Sequence, residues 1–77
     1  MTNKDMVISV LNDHGCQNSF QIKGMVYRKF GVTISSQTAA SAMRPLIAAG
    51  YANKCPDPTS GKMVYWLTDY GKEQLFK

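Results

Sequence analysis

Apolar side chains recur at helical intervals through the first half of the chain. Met6, Val7, Val10 and Leu11 fall on one face of a helix running from Asn3 to His14, because residues three and four apart stack on the same side. Thr2 or Asn3 can cap its start, and Asp5 sits in the first turn, where the helix dipole favours an acid. His14 reads as a helix-end residue, and Gly15 follows as a left-handed stop. A second helix opens at Asn18–Ser19. Asn18 and Gln21 have the capping-box spacing, with Asn in the place of Ser or Thr. Ile22, Met25, Val26 and Phe30 then repeat on one face, Lys23, Tyr27, Arg28 and Lys29 share the more exposed side, and Gly31 ends the segment.

Val32-Thr33-Ile34 is β-branched and alternating, so it predicts a brief strand or an extended link. Ser35 and Ser36 follow as caps for a third helix reaching about Ala49, with Ala39, Ala42, Met43 and Leu46 inward and Gly50 as the stop. Pro45 falls inside it. Proline removes a helical hydrogen bond and crowds the preceding turn, at about 3 kcal/mol in a regular interior. A kink or a tightened last turn is expected there. Tyr51 to Cys55 and Met63 to Leu67 then read as strands, joined through Pro56-Asp57-Pro58-Thr59-Ser60-Gly61, too long for a two-residue hairpin turn. Thr68 caps a last helical stretch containing Tyr70, Leu75 and Phe76. Alternation puts Val64 and Trp66 on one face of the second strand and Met63, Tyr65 and Leu67 on the other. Tyr65 and Leu67 are expected inward. Phe20 and Phe30 are expected in the core with them, and Trp66 partly exposed as a candidate protein contact.

Composition narrows the class. With 77 residues, 44% of them apolar and 18% charged, the chain predicts one small globular domain over residues 1–77. No apolar run approaches the roughly 20 residues of a membrane span, and the polar start with Asp5 carries no signal-peptide pattern. The expected location is therefore the cytoplasm, with no membrane partner. Cys16 and Cys55 are the two cysteines. They form no C-x-x-C pair, and a single histidine completes no zinc site. Free thiols, no metal and no cofactor are expected. Nine Lys and Arg against five Asp and Glu leave a net charge of +4, which permits an anionic partner such as DNA without requiring one.

Three patterns occur in order: Ser35-Ser36-Gln37-Thr38-Ala39; Met43-x-x-Leu46-x-x-x-Gly50-Tyr51; and Pro56-Asp57-Pro58…Gly61-Lys62…Tyr65-Trp66-Leu67-Thr68-x-x-Gly71-Lys72. From about residue 4 to 76 this order resembles the winged helix-turn-helix family, and within it the DNA-binding lobe of MarR-type and related bacterial and phage regulators. The resemblance implies an α+β fold of three helices, a β-hairpin wing and a short C-terminal helix. MarR-type proteins dimerise through long helices outside this lobe. A chain ending at Lys77 has no room for them, which predicts a monomer, a weak homodimer or a part of a larger assembly.

The third helix adds a physical reason for DNA recognition. Its non-core face carries Gln37, Thr38, Ser41 and Arg44. Gln can bond adenine through two groups, Arg can bond guanine likewise, and Ser or Thr can bond bases or phosphates. The small Ala40 allows close approach, and the free N–H groups at Ser36 and Gln37 suit a phosphate. The resemblance places Lys54 and Lys62 on the wing, where they would attract phosphates. A solvated polar face and charged hairpin edges are the plain alternatives. Lys23, Tyr27, Arg28 and Lys29 are further possible backbone contacts. No nucleophile, phosphate loop or carboxylate pair suggests an enzyme. The expected function is a sequence-reading protein of double-stranded DNA, a small bacterial or phage transcriptional regulator. The alternative is a winged-helix protein-interaction module, such as a phage-encoded inhibitor or assembly factor acting on host machinery.

Overall fold

The computed structural model describes residues 2–76. The elements run α1 (Asn3–His14), β1 (Gln17–Asn18), α2 (Ser19–Phe30), α3 (Ser36–Ala48), β2 (Ala52–Pro56), β3 (Met63–Leu67) and α4 (Asp69–Leu75). Each of the first three helices starts on a side-chain cap. Thr2 and Asp5 form a full capping box at α1, and Asn18 and Gln21 form another at α2. These caps meet amides that a helix start leaves without partners. Hydrogen bonds from the Thr2 side chain, and then from the Thr2 amide, hold the Asp5 carboxyl below its ordinary pKa. Ser35 caps α3 by accepting from the Thr38 amide.

The three helices pack against one another, and α1 also touches β3. Because α1 is covered from several sides, Ile8 is buried in addition to Met6, Val7, Val10 and Leu11. Ile22 and Val26 from α2, and Ala39, Met43 and Leu46 from α3, complete the helical share of the core. Val32-Thr33-Ile34 forms no strand. It is the extended link, and it buries Ile34.

The sheet has strand order β1-β3-β2, all antiparallel. Gln17 and Ala52, paired with Tyr65 and Leu67 respectively, share the face turned to the helices, since directly paired residues point the same way. All four are buried. Tyr65 and Leu67 lie inward and Trp66 is half-buried, as the alternation predicts. Phe30 packs against the core, but Phe20 does not: it is 51% exposed. On α2 the buried positions are Ile22 and Val26. Phe20 falls with Lys23 and Tyr27, on the opposite side of that helix.

Helix α3 runs through Pro45 without interruption. Its end is closed at Gly50, not at Pro45, whose carbonyl accepts from the Ala49 amide at 3.1 Å as in a regular helix. Gly50, at φ 80°, donates to the Ile47 carbonyl at 3.0 Å, and Tyr51 donates to the Leu46 carbonyl at 2.9 Å. These two bonds are those of the Schellman motif. The chain then locks onto itself. The Thr68 amide donates to the Tyr51 carbonyl at 3.0 Å, and the Thr68 hydroxyl donates to the Gly50 carbonyl at 2.8 Å. The same hydroxyl accepts from the Gly71 amide at 2.9 Å and so caps α4. Thr68 thereby joins the end of α3 to the start of α4.

Candidate nucleic-acid interface

The seven predicted DNA-contacting residues divide into groups. Gln37, Ser41 and Arg44 are exposed on α3. Their spacing of four and then three residues places them in one stripe along the helix. At 1.5 Å rise per residue the stripe is about 10 Å long, which suits a few consecutive base pairs. Ala40, half-buried beside it, keeps the surface low. Ser36 and Thr38 are half-buried. The Thr38 hydroxyl accepts from the Ser35 hydroxyl at 2.9 Å, while the Ser35 oxygen accepts from the Thr38 amide at 3.0 Å. Thr38 therefore serves the cap first. The amides of Ser36 and Gln37 bond to no described residue, as expected of a helix start that could meet an anion.

The hairpin between β2 and β3 is organised by Asp57. Its amide donates to the Lys62 carbonyl at 2.8 Å, and its own carbonyl accepts from Gly61 at 2.8 Å. Its carboxylate accepts from the Thr59 amide at 3.1 Å and from the Ser60 hydroxyl at 3.0 Å. An acid at the tip thus closes the turn through its own neighbours.

The two hairpin lysines point to different places. Lys54 pairs with Tyr65, so it stands on the helix-facing side of the sheet, yet it is exposed. Strand β2 itself packs against α3. Lys62 instead lies over the Phe20 ring, its Nζ 4.5 Å from the ring centre. That distance is well within cation–π range, and it turns Lys62 toward α2. Lys23, also on α2, reaches the same ring at 6.0 Å. Sequence alone joined Lys54 and Lys62 as one wing pair; the Phe20 contact separates them.

Lys29 has another task. Its ammonium donates to the Ser9 hydroxyl at 2.7 Å and pairs with Asp13, tying α2 to α1. Tyr27 and Arg28 remain exposed. Cys16 and Cys55 are both free and exposed. Among the described residues no three His, Cys, Asp or Glu side chains gather as a metal site. Among the described residues no helix is long and apolar enough to cross a membrane.

The backbone path decides the fold. It superposes on a MarR family transcriptional regulator from Silicibacter pomeroyi with a TM-score of 0.76 at 21% identity. It superposes on a protein from STIV, described as a winged-helix DNA-binding protein, with a TM-score of 0.80 at 19% identity. The chain has the winged-helix fold.

The MarR-type resemblance carried by the sequence patterns is thus a resemblance in structure too. In winged-helix terms α2 and α3 form the helix-turn-helix, and the β2–β3 hairpin is the wing. A third neighbour, the reduced form of the transcriptional regulator YodB from B. subtilis, has a TM-score of 0.73 at 23% identity and matches 99% of this chain and 72% of its own. The STIV protein matches over 96% of this winged helix and 79% of its own length. The Silicibacter regulator matches over 97% of this chain, which spans just under half, 47%, of that longer protein. No protein-family model and no curated protein matches by sequence. The likeness therefore lies in the path of the backbone.

Proposed function

We propose that this winged helix reads double-stranded DNA and acts as a small bacterial or phage transcriptional regulator in the cytoplasm. The stripe of Gln37, Ser41 and Arg44 carries the reading. On α3 the exposed side chains able to pair with base edges fall in one row, on a helix whose other face is locked into the core. Gln37 suits adenine, Arg44 suits guanine, and Ser41 can bond a base or a phosphate. Lys54 supplies phosphate attraction from the neighbouring strand, and the Ser36 and Gln37 amides, without a partner among the described residues, donate to a phosphate at the helix start. Thr38 contributes by holding that start in place. Lys62 and Lys23, gathered at Phe20, extend the positive surface along α2. The Silicibacter, STIV and B. subtilis neighbours, named as regulators or as DNA-binding, support this reading. Operators read by two copies of the chain would require a weak homodimer formed on the DNA.

A winged helix that grips a protein is the second reading. It is favoured by Phe20 and Tyr27, which expose 51% and 61% of their surface on α2. Fluorescence anisotropy with random duplex DNA at two salt concentrations separates the two. DNA reading predicts binding at low salt whose logarithm falls linearly with the logarithm of salt, by about 0.9 for each phosphate met. Absence of binding at low salt would remove the DNA reading in favour of the protein-binding one.

A further inference from the structure

Among the described residues the exposed aromatic rings fall on two helices. Phe20 and Tyr27 stand on α2, and Tyr70 and Phe76, on and just past α4, expose 53% and 47% of their surface. A single exposed ring needs no explanation, but grouped apolar surface marks a binding face. The two pairs match in span. At 1.5 Å rise per residue, Phe20 and Tyr27 are about 10 Å apart along α2, and Tyr70 and Phe76 about 9 Å apart along α4.

The two faces carry opposite charge. Helix α2 contains no acid, and Lys23 and Arg28 flank its rings, with Lys62 lying over Phe20. On α4, Asp69 and Glu73 are four apart and fall in one stripe with Tyr70 and Phe76, while Lys72 stands at the edge of that stripe. Lys23, Arg28, Asp69 and Glu73 are all exposed, and none pairs with an opposite charge among the described residues. Asp69 also suits the first turn of a helix, but Glu73 has no such local use. Beside Phe20, a notch of about 280 Å³ opens at Gly24, Met25 and Arg28, where a side chain on Gly24 would meet nothing within 4 Å.

We propose that α2 of one copy docks against α4 of a second copy. Asp69 and Glu73 meet Lys23 and Arg28, and Tyr70 and Phe76 pack on Phe20 and Tyr27, one ring seating in the notch over Gly24. The occupant is a second copy because the chain itself carries both halves of the match, in span and in charge. A seven-residue helix covers little area, so the contact belongs with the small, weak interfaces. It gives the weak homodimer a surface. It uses none of Gln37, Ser41, Arg44 or Lys54, and so stands whether or not α3 reads DNA.

Amide-resolved NMR over a dilution series of the DNA-free protein tests the contact. Amides at Lys23, Gly24 and Tyr27 and at Tyr70, Glu73 and Phe76 should shift together as concentration rises. Lys23→Glu and Glu73→Lys replace attraction by repulsion, and each should weaken self-association about tenfold. The two reversals move the net charge in opposite directions, from +4 to +2 and to +6. General repulsion between copies would therefore strengthen association in the first and weaken it in the second, whereas the proposed contact weakens both. Mixing the two variants brings an intact α2 against an intact α4 and should restore association to near the wild-type level. Both positions are exposed, so the unfolding temperatures should stay close to that of the wild type. The contact is overturned if dilution leaves either helix unmoved, if Lys23→Glu associates as well as the wild type, or if the mixture restores nothing. Shifts at Lys23 and Tyr27 that appear only on adding duplex DNA would also overturn it, and would make this face of α2 a DNA surface.

Discussion

The carbonyl oxygen of Tyr51 occupies the space that a side chain at Gly71 would need. A methyl group at position 71 would lie 1.9 Å from that oxygen and 2.6 Å from its carbon, far inside van der Waals contact. The conflict is with backbone, which cannot swing aside as the end of a flexible side chain can. The Tyr51 backbone is itself pinned, because its carbonyl accepts from Thr68 and its amide closes the α3 end. The Leu-Thr-x-x-Gly pattern thus has a mechanical origin. Thr68 ties the second wing strand to the end of α3, and Gly71 lets α4 lie directly on that tie.

Gly71→Ala should therefore destabilise the domain by about 3 kcal/mol or more, as overpacking against a fixed wall does. Gly24→Ala is the contrasting case, a helical glycine with open space around it. It should raise stability by up to about 1 kcal/mol. Urea titration followed by circular dichroism measures both, and equal effects of the two substitutions would contradict the packing described.

Met43 tests the inner face of α3. It is fully buried, among the largest such side chains in the core. Met43→Asp would place an unpaired charge there, at a cost of several kcal/mol. A domain of this size holds only a few kcal/mol in reserve, so the variant should be unfolded at room temperature by circular dichroism. A soluble, fully helical Met43→Asp protein would contradict the assigned face.

Pro45 is exposed, and the helix passes through it unbroken. Its ring nitrogen has no hydrogen for the Ser41 carbonyl, one turn earlier on the stripe. Pro45→Ala restores that donor and should stabilise α3 by up to about 3 kcal/mol, less the entropy that alanine returns to the unfolded chain. A rise in the thermal midpoint is the expected result. A fall would show that the proline fits its site better than a regular helix does.

The three main helices are legible in the sequence because their signals are local. Apolar spacing marks the faces, and Thr2, Asn18 and Ser35 mark the starts within three residues of the amides they cap. Strand β1 is not legible. Gln17 and Asn18 are polar and too few to alternate, and they become a strand only by pairing with Tyr65 and Val64, more than forty residues away. Val32-Thr33-Ile34 has the composition of a strand but no neighbour to pair with among the described strands. Phe20 looked like core because it is aromatic, although its distance from Ile22 already puts it on the other side of α2. The split between Lys54 and Lys62 depends on Phe20 being exposed, so it could not be read from either lysine.

The final prediction separates the two kinds of DNA contact in the proposed interface. Arg44 lies in the α3 stripe, where a base contact would carry sequence information. Lys54 lies on the wing strand packed against α3, where a phosphate contact would carry none. Arg44→Ala should cost about 1–3 kcal/mol on the preferred site and little on random duplex, flattening specificity. Lys54→Ala should weaken all sequences similarly and lower the salt slope by about one unit. Lys62→Ala gives a further distinction. With its ammonium held over Phe20, Lys62 is drawn toward α2, so its loss should reduce the slope less than the loss of Lys54 does. Anisotropy titrations of the three variants on one selected site and one random duplex, each across a salt series, measure all of these effects. If Arg44→Ala and Lys54→Ala both leave affinity and slope unchanged, the α3 stripe and the wing are not the DNA surface, and the exposed Phe20 and Tyr27 face of α2 becomes the surface to test for a protein partner.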